Sequence, residues 1–461
     1  MSRPDAPNVD STETAPEPVA GSGSTLHGFA KSVSQTLGVN LLAYGCNFAA
    51  GIITARTLGS DGRGQLVAVM LAPTLAASIV TLGVPSGLIY HIRRKSADAG
   101  ALYGSGVLTM LLAGLISASI ACLIIPWWLD GLSAELRHFA QIYVFTTPIS
   151  LIGLSTMACL EARGEFLLRS AKLGATAIGY VVSLGGLWLV GLLSPVSAAL
   201  AHVIVSFVTL LPLLIHLHRQ LRPRLAQPIA HVRLLLSFGL KSYVGTFVTR
   251  IGSEADRSLL AGFLSASELG LYSIAVSVAS VPWMLHTAVT PVLFPALAGS
   301  DRAKVPSMIS RSSGVTLVLM VAASVGLLAI APWVVPFVYG PEFAGLTLLI
   351  GLLLLRLVLM SFCETLSVGL TAIGRPGVNS ALQFVIVPLM IVLLFLAIPR
   401  YGLLGAAGAI AIAMCVRAVL LAGAYPLIVK LRVPVPTISG DDMQRLWDRF
   451  AARRLRRGGA S

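Results

Sequence analysis

Residues 101–126 read ALYGSGVLTMLLAGLISASIACLIIP, without a single Asp, Glu, Lys or Arg. As a helix this stretch is about 39 Å long, more than the roughly 30 Å hydrocarbon core of a bilayer. Its apolar residues do not alternate, which argues against a barrel strand. In lipid every backbone group needs a partner within the protein, and a helix supplies one for each.

The rest of the chain follows the same pattern. Hydrophobic residues make up 56% of the 461, charged residues 11%, and the mean hydropathy is +0.85. A soluble domain carries about 25% charged residues, so most of this surface faces something apolar. Spans fall near residues 33–55, 65–92, 101–126, 138–160, 172–193, 197–217, 237–264, 269–298, 313–338, 344–372, 378–398 and 403–428. The expected fold is therefore all-α and integral to the membrane, with about twelve transmembrane helices. The seventh span carries Lys241, Arg250, Glu254, Asp256 and Arg257, so a helix lining water is the alternative there.

Lys and Arg orient the chain. With the N-terminus inside, the inner segments hold Arg3, Lys31, Arg93, Arg94, Lys95, Arg163, Arg169, Lys172, the run Arg219 to Arg233, Arg302, Lys304, Arg311, Arg375 and the cluster from Lys430 to Arg457. The outer loops hold only Arg56, Arg63, Arg137 and Arg400. That is about 24 basic residues against about 4, so both termini are expected in the cytoplasm. The net charge of +14 is then mostly topology. Nucleic acid is not an expected partner, because no basic stretch sits on a soluble fold with interleaved aromatics.

The expected organisation is a disordered N-tail (1–31), an N-terminal six-helix lobe (32–217), a basic linker (218–236), a C-terminal six-helix lobe (237–430) and a basic tail (431–461). The N-tail has no basic region preceding a short apolar run and so does not read as a signal peptide. In the C-tail, Met443, Leu446, Trp447 and Phe450 share a helical face amid arginines. It reads either as a helix lying on an anionic leaflet or as a frayed tail that only enforces topology. Cys46, Cys122, Cys159, Cys363 and Cys415 lie within spans and form no C-x-x-C pair, so they read as small buried hydrophobes. His202 and His286 lack metal-binding spacing.

The two halves repeat. Leu58 and Gly64 match Leu264 and Gly270; Pro85 matches Pro291; Ala162 and Gly164 match Ala372 and Gly374; residues 197–201 match 405–409. The offset stays between about 206 and about 210 residues. Six helices per half leaves both halves in one orientation, a parallel repeat about an axis along the membrane normal. Transporters built this way rock two bundles around a central cavity.

These residues also carry a family resemblance. Ala55-Arg56-Thr57-Leu58-Gly59 with Gly64 resembles the signature after the first helix of polysaccharide-transport flippases. Asp256-Arg257-Ser258-Leu259-Leu260, Leu269-Gly270-Leu271-Tyr272-Ser273, Phe294-Pro295-Ala296-Leu297, Gly374-Arg375-Pro376 and Tyr401-Gly402-Leu403-Leu404-Gly405 are similar to later landmarks. The family is the Wzx-type, lipid-linked oligosaccharide branch of the multidrug/oligosaccharidyl-lipid/polysaccharide exporter superfamily. The resemblance implies two six-helix bundles and transfer of undecaprenyl-pyrophosphate-linked sugar units across the bacterial inner membrane. The partners it implies are the lipid-linked oligosaccharide and membrane lipids, with a polysaccharide polymerase and co-polymerase downstream.

Such a carrier needs a wet path for the sugar, a cationic patch for pyrophosphate, and no catalytic group or cofactor. A hydroxyl left unpaired in alkane costs about 4–8 kcal/mol, so a sugar head does not cross unaided. The candidate substrate-binding residues are Arg250, Arg257, Arg356 and Arg417, with Asn40, Tyr44 and Asn47 on one face of the first helix. Glu254, Asp256 and Glu364 are candidates for H⁺ or Na⁺ coupling, since intramembrane acids mark ion pathways. The competing reading makes Arg250–Glu254 a structural ion pair and the Asn stripe helix–helix glue. An enzyme is disfavoured, because the longest outer segment is on the order of ten residues, well under a domain. The alternative function is a cation-coupled multidrug exporter of the same superfamily, although the first helix holds no acid. Relatives that flip the peptidoglycan precursor commonly carry charges in their first two helices, and none is expected here.

Overall fold

The computed structural model describes residues 23–95, 97–284, 286 and 305–429. The basic tail, Pro291 and the Phe294–Leu297 landmark lie outside these residues. The described residues form helices and turns without a strand.

Among the described residues twelve α-helical stretches follow one another: α1 (Gly23–Val80), α2 (Val84–Arg93), α3 (Ala99–Trp128), α4 (Ala134–Tyr143), α5 (Thr147–Ala162), α6 (Phe166–Leu189), α7 (Pro195–Leu221), α8 (Pro228–Phe263), α9 (Ala266–Ala279), α10 (Val305–Tyr339), α11 (Thr347–Ala372) and α12 (Pro376–Ala424). They do not map one-to-one onto spans. α1 is 58 residues long and bends at Gly59 (φ 67°, ψ −171°). That backbone region is open essentially to glycine alone. α12 runs 49 residues and bends at Gly402 (φ 56°, ψ −133°). Each bend joins two spans without a loop. The second limb of α1 and α2 together make the second span, broken at Thr81–Gly83 immediately before Pro85. α4 and α5, joined by the 3₁₀ turn Val144–Thr146, make the fourth. Eight described helices are long and apolar enough to cross a membrane, and α9 is shorter. With the two bent helices counted as pairs, the all-α fold with about twelve membrane helices is borne out.

Local chemistry sets the helix ends. Ser194 and Ser265 form reciprocal capping boxes with Ser197 and Glu268 at the starts of α7 and α9. Asp98 caps α3 by accepting the Ala101 N–H at 2.8 Å. Prolines occupy the first turn of α2, α5, α7, α8 and α12, where a missing N–H costs nothing. The turn from α7 to α8 covers 222–227, shorter than the linker expected at 218–236. Arg222 and Gln227 bracket it in left-handed conformations.

The helix ends sort into two faces. One, the basic face, holds the turns after Arg93, Ala162, Leu221 and Ala372. There Arg93 donates to the Glu161 carbonyl, Arg163 to Gln220, and Arg224 to Asp98. The opposite face holds the Gly59 and Gly402 bends and the turns after Trp128, Leu189, Phe263 and Tyr339. Trp127, Trp188, Trp333 and Tyr401 stand exposed near that face, the placement expected of an interfacial aromatic belt. Between the faces, Leu123, Val182, Ile204 and Val419 are exposed on the outer surface, as lipid contact requires.

Burial divides the molecule unequally. Toward the opposite face one apolar core unites both halves, from Ala55 and Leu66 through Leu260 and Tyr272 to Tyr339 and Ile398. Toward the basic face the described core separates. One cluster lies in the C-terminal half around Ile309, Leu366 and Leu421, one around Leu160 lies in the N-terminal half, and one around Leu88 joins α2, α3 and α5 to Leu235 at the start of α8. Among the described residues the halves are fused through one continuous core on the opposite side, and on the basic side they meet through the first half of α8.

Candidate substrate path between the lobes

The fused side is closed by backbone-to-backbone contact. A Cβ on Gly64 would overlap the Ala266 carbonyl oxygen, and one on Gly270 would overlap the Ser60 carbonyl oxygen. Each glycine thus rests on the residue four positions before the other. These are the glycines matched by the internal repeat, so the pseudo-twofold axis passes between them. Ser60 and Ser267 hydroxyls meet beside this contact at 3.0 Å. Two polar links span the same seam. Arg56 donates to the Phe337 and Val338 carbonyls at the end of α10. Glu342 accepts the Ser60 N–H at 2.9 Å, where the second limb of α1 begins.

On the basic face α8 packs closely against α2 and the end of α1. Gly83 and Gly239 lie backbone to backbone, and a Cβ on Gly87 would come 2.8 Å from the Leu235 carbonyl oxygen. The Tyr90 and Phe238 rings stack at 3.9 Å. The Thr81–Gly83 break releases carbonyls of the preceding turn. The Tyr243 hydroxyl, from α8, sits 2.7 Å from both the Ser78 and Ile79 oxygens and has one proton to share between them.

The first limb of α1 carries a polar stripe. Asn40 is half-buried, and Tyr44 and Asn47 are exposed. At 3.6 residues per turn, Gly51 and Thr54 continue the same face. Phe48, beside it, packs edge-on against Tyr339 at 5.7 Å. Thr54 is buried and accepts from the Arg63 guanidinium at 2.8 Å. Arg63 Nε reaches the Ser273 hydroxyl at 3.4 Å, and Tyr180 and Tyr339 border the group. The remaining Arg63 N–H groups have no acceptor among the described residues, and no carboxylate there pairs with them. The buried Tyr339 hydroxyl is likewise without a partner among those residues. The stripe thus ends, at the fused side, on a half-buried cation with donors to spare.

This overturns the placement of Arg63 in an outer loop and the expected absence of charge from the first two helices. Arg56 and Arg63 flank the Gly59 bend inside α1. A loop was expected at 56–64 because the apolar run is interrupted there, but Gly59 lets the helix turn within one residue.

The candidates in the C-terminal half are distributed differently. Arg417 is buried on α12 and pairs with Glu364 of α11 at 3.0 Å. Arg356 of α11 and Glu254 of α8 are half-buried, and Arg257 is exposed toward the end of α8. The side chains of Lys241, Arg250 and Asp256 lie outside the described residues. The structure therefore brings Arg417 and Glu364 together, and assigns the α1 stripe an end-point that sequence reasoning missed. Arg63 sits nine residues after Thr54 across a bend, a relation no helical periodicity reveals.

Two six-helix lobes in parallel repeat, fused at one face, are a plan that membrane transporters use. The chain belongs to the family of polysaccharide biosynthesis proteins, which it matches over residues 53–347, bearing out the resemblance read from the motifs. It is 25% identical to the succinoglycan biosynthesis transport protein ExoT of Rhizobium meliloti, over 76% of this chain and 71% of that one. It is 25% identical to a probable low-salt glycan biosynthesis flippase, Agl15, of Haloferax volcanii, although that match spans only 41% of each chain. Among solved structures, the inward closed conformation of the lipid II flippase MurJ superposes with a TM-score of 0.72 at 16% identity, covering 86% of this chain and 87% of that one.

Proposed function

We propose that this protein is a flippase that moves undecaprenyl-pyrophosphate-linked oligosaccharide units from the cytoplasmic to the periplasmic leaflet of a bacterial inner membrane. The observation that carries the reading is the α1 stripe ending on Arg63: hydroxyl and amide groups for a sugar, then a cation with spare donors for phosphate oxygens. Arginine suits that role because its planar fork grips phosphate bidentately and stays charged when desolvated. The Lys and Arg bias supports taking the basic face, with both termini, as cytoplasmic. The molecule is then closed toward the periplasm, as a carrier awaiting substrate would be.

Arg250, Arg257 and Arg356 join Arg63 in this proposal as cations along the path, and Asn40, Tyr44 and Asn47 as sugar contacts. Arg417 contributes only when Glu364 releases it. Glu254, Asp256 or Glu364 exchanges a proton or Na⁺, and a polymerase with its co-polymerase receives the product. No step requires a catalytic group. An export assay in cells deleted for the gene tests the reading. Arg63→Gln should abolish polysaccharide export while the protein still reaches the membrane, with Arg63→Lys intermediate. Wild-type export by Arg63→Gln would overturn the role of this cation. Proteoliposome transport indifferent to both pH and Na⁺ gradients would remove the coupling.

A further inference from the structure

On the outer surface of the N-terminal lobe, α3 and α7 flank a groove of about 570 Å³ and close on each other at its basic-face end, where a Cβ on Gly100 would overlap the Leu221 carbonyl oxygen. Val107, Leu108 and Leu111 of α3 and Leu214 and Ile215 of α7 line its membrane-facing length. Its mouth is of another character: His218, Arg219 and Arg224 gather there, all exposed. The floor at the mouth is tight, because Gly104 lies against the Arg224 backbone, where a Cβ would come 2.9 Å from its carbonyl oxygen. Asp98 is the acid at this site, accepting from Arg224 Nε at 3.2 Å. Arg219 and His218 have no carboxylate partner among the described residues. The mouth therefore carries a net positive charge at the depth of lipid headgroups, directly above an apolar slot.

We infer that this groove is a binding site for an anionic phospholipid of the leaflet on the basic side. One acyl chain lies along Val107 to Leu111, and the phosphate is held by Arg219 and Arg224. Charge complementarity selects the occupant: a slot that took any lipid would need no cations at its mouth, and basic pockets between membrane helices at this level hold anionic headgroups. The groove lies outside the path between the lobes and does not depend on what that path carries. It ties together α3, the end of α7 and the first residues of the 222–227 strap, so a bound lipid braces the joint between the lobes.

Native mass spectrometry of the full chain, given equal phosphatidylglycerol and phosphatidylcholine, tests the site. Each arginine near a charged surface is worth on the order of fivefold in binding. Wild type should retain phosphatidylglycerol well above phosphatidylcholine, and Arg219→Gln should cut that preference about fivefold. Leu108→Trp, which fills the slot and leaves the charges, should reduce retention of both lipids. Equal retention of the two lipids by wild type would overturn the inference whatever the variants do. So would an unchanged preference in Arg219→Gln, or a polyprenyl-linked species as the co-purifying occupant.

Discussion

Gly64 and Gly270 face each other across the lobe seam, each set against the carbonyl four residues upstream of the other. The contact is symmetric because the chain is, and it leaves no room for a side chain on either helix. Closure of the fused side therefore depends on two hydrogen atoms where any other residue has a carbon.

A disulfide between Ser60→Cys and Ser267→Cys should form readily in a background lacking the five native cysteines, since the hydroxyls stand 3.0 Å apart. Cleavage at a protease site placed in the 222–227 strap would leave the halves joined. Gly64→Val in the same background should lower the yield several-fold by prising the helices apart. Full cross-linking despite Gly64→Val would show that the seam is not as drawn. If transport needs the seam to open, the oxidised protein should not export and its reduced form should.

The links flanking that contact are reciprocal: an N-terminal-half arginine on a C-terminal-half helix end, and a C-terminal-half carboxylate on an N-terminal-half helix start. Hydrogen bonds to charged groups contribute about 1.5–3 kcal/mol. In the Ser60→Cys, Ser267→Cys protein, Glu342→Gln should therefore make the two introduced thiols roughly tenfold more reactive toward a water-soluble maleimide. Unchanged reactivity would mean the glycine contact alone holds the seam.

Arg417 and Glu364 form a pair in which the arginine is buried, and removing one partner of a buried pair costs roughly 3–5 kcal/mol. Glu364 keeps some access to water, so the lower end applies. Arg417→Ala should lower the melting temperature measured by dye-based unfolding in detergent. Arg417→Met with Glu364→Gln should recover most of the loss. If export recovers with stability, the pair is structural; if the folded double variant stays inactive, one of the two acts in transport.

Asp98 supplies a pH-dependent test outside the membrane. Its carboxylate accepts the Ala101 N–H, the larger effect, and is further held by Arg224, so its pKa lies below the usual Asp range despite partial desolvation. A depressed folded-state pKa stabilises the protein above the unfolded value, near 3.9, and the contribution fades as pH falls through the folded value. Asp98→Ala should cost about 1 kcal/mol near neutrality, as loss of an N-cap does. The gap from wild type should narrow below about pH 4; a gap constant down to the acid limit would rule out the carboxylate as its source.

The spans were legible because an apolar run of bilayer length admits one structure in lipid. The repeat was legible because glycines and prolines mark backbone positions that side chains cannot fill. The tight joints were harder to see. Gly59 and Gly402 each replace a loop with one residue, which moved Arg63 from an apparent outer loop into the packed helices. Tyr243 satisfies a break 164 residues away in sequence, and Arg417 meets Glu364 across 53. Such pairings follow from how helices pack, which periodicity along one helix does not encode.

The strap at 222–227 carries a mechanical consequence. Seven residue steps separate the end of α7 from the start of α8, and a fully extended chain covers at most about 25 Å over that distance. However the lobes swing, those two helix ends stay within that radius unless a terminal turn unwinds. The strap is a tether of fixed length across the basic-face mouth, and it sets a ceiling on the girth of any cargo that enters between the helices it joins.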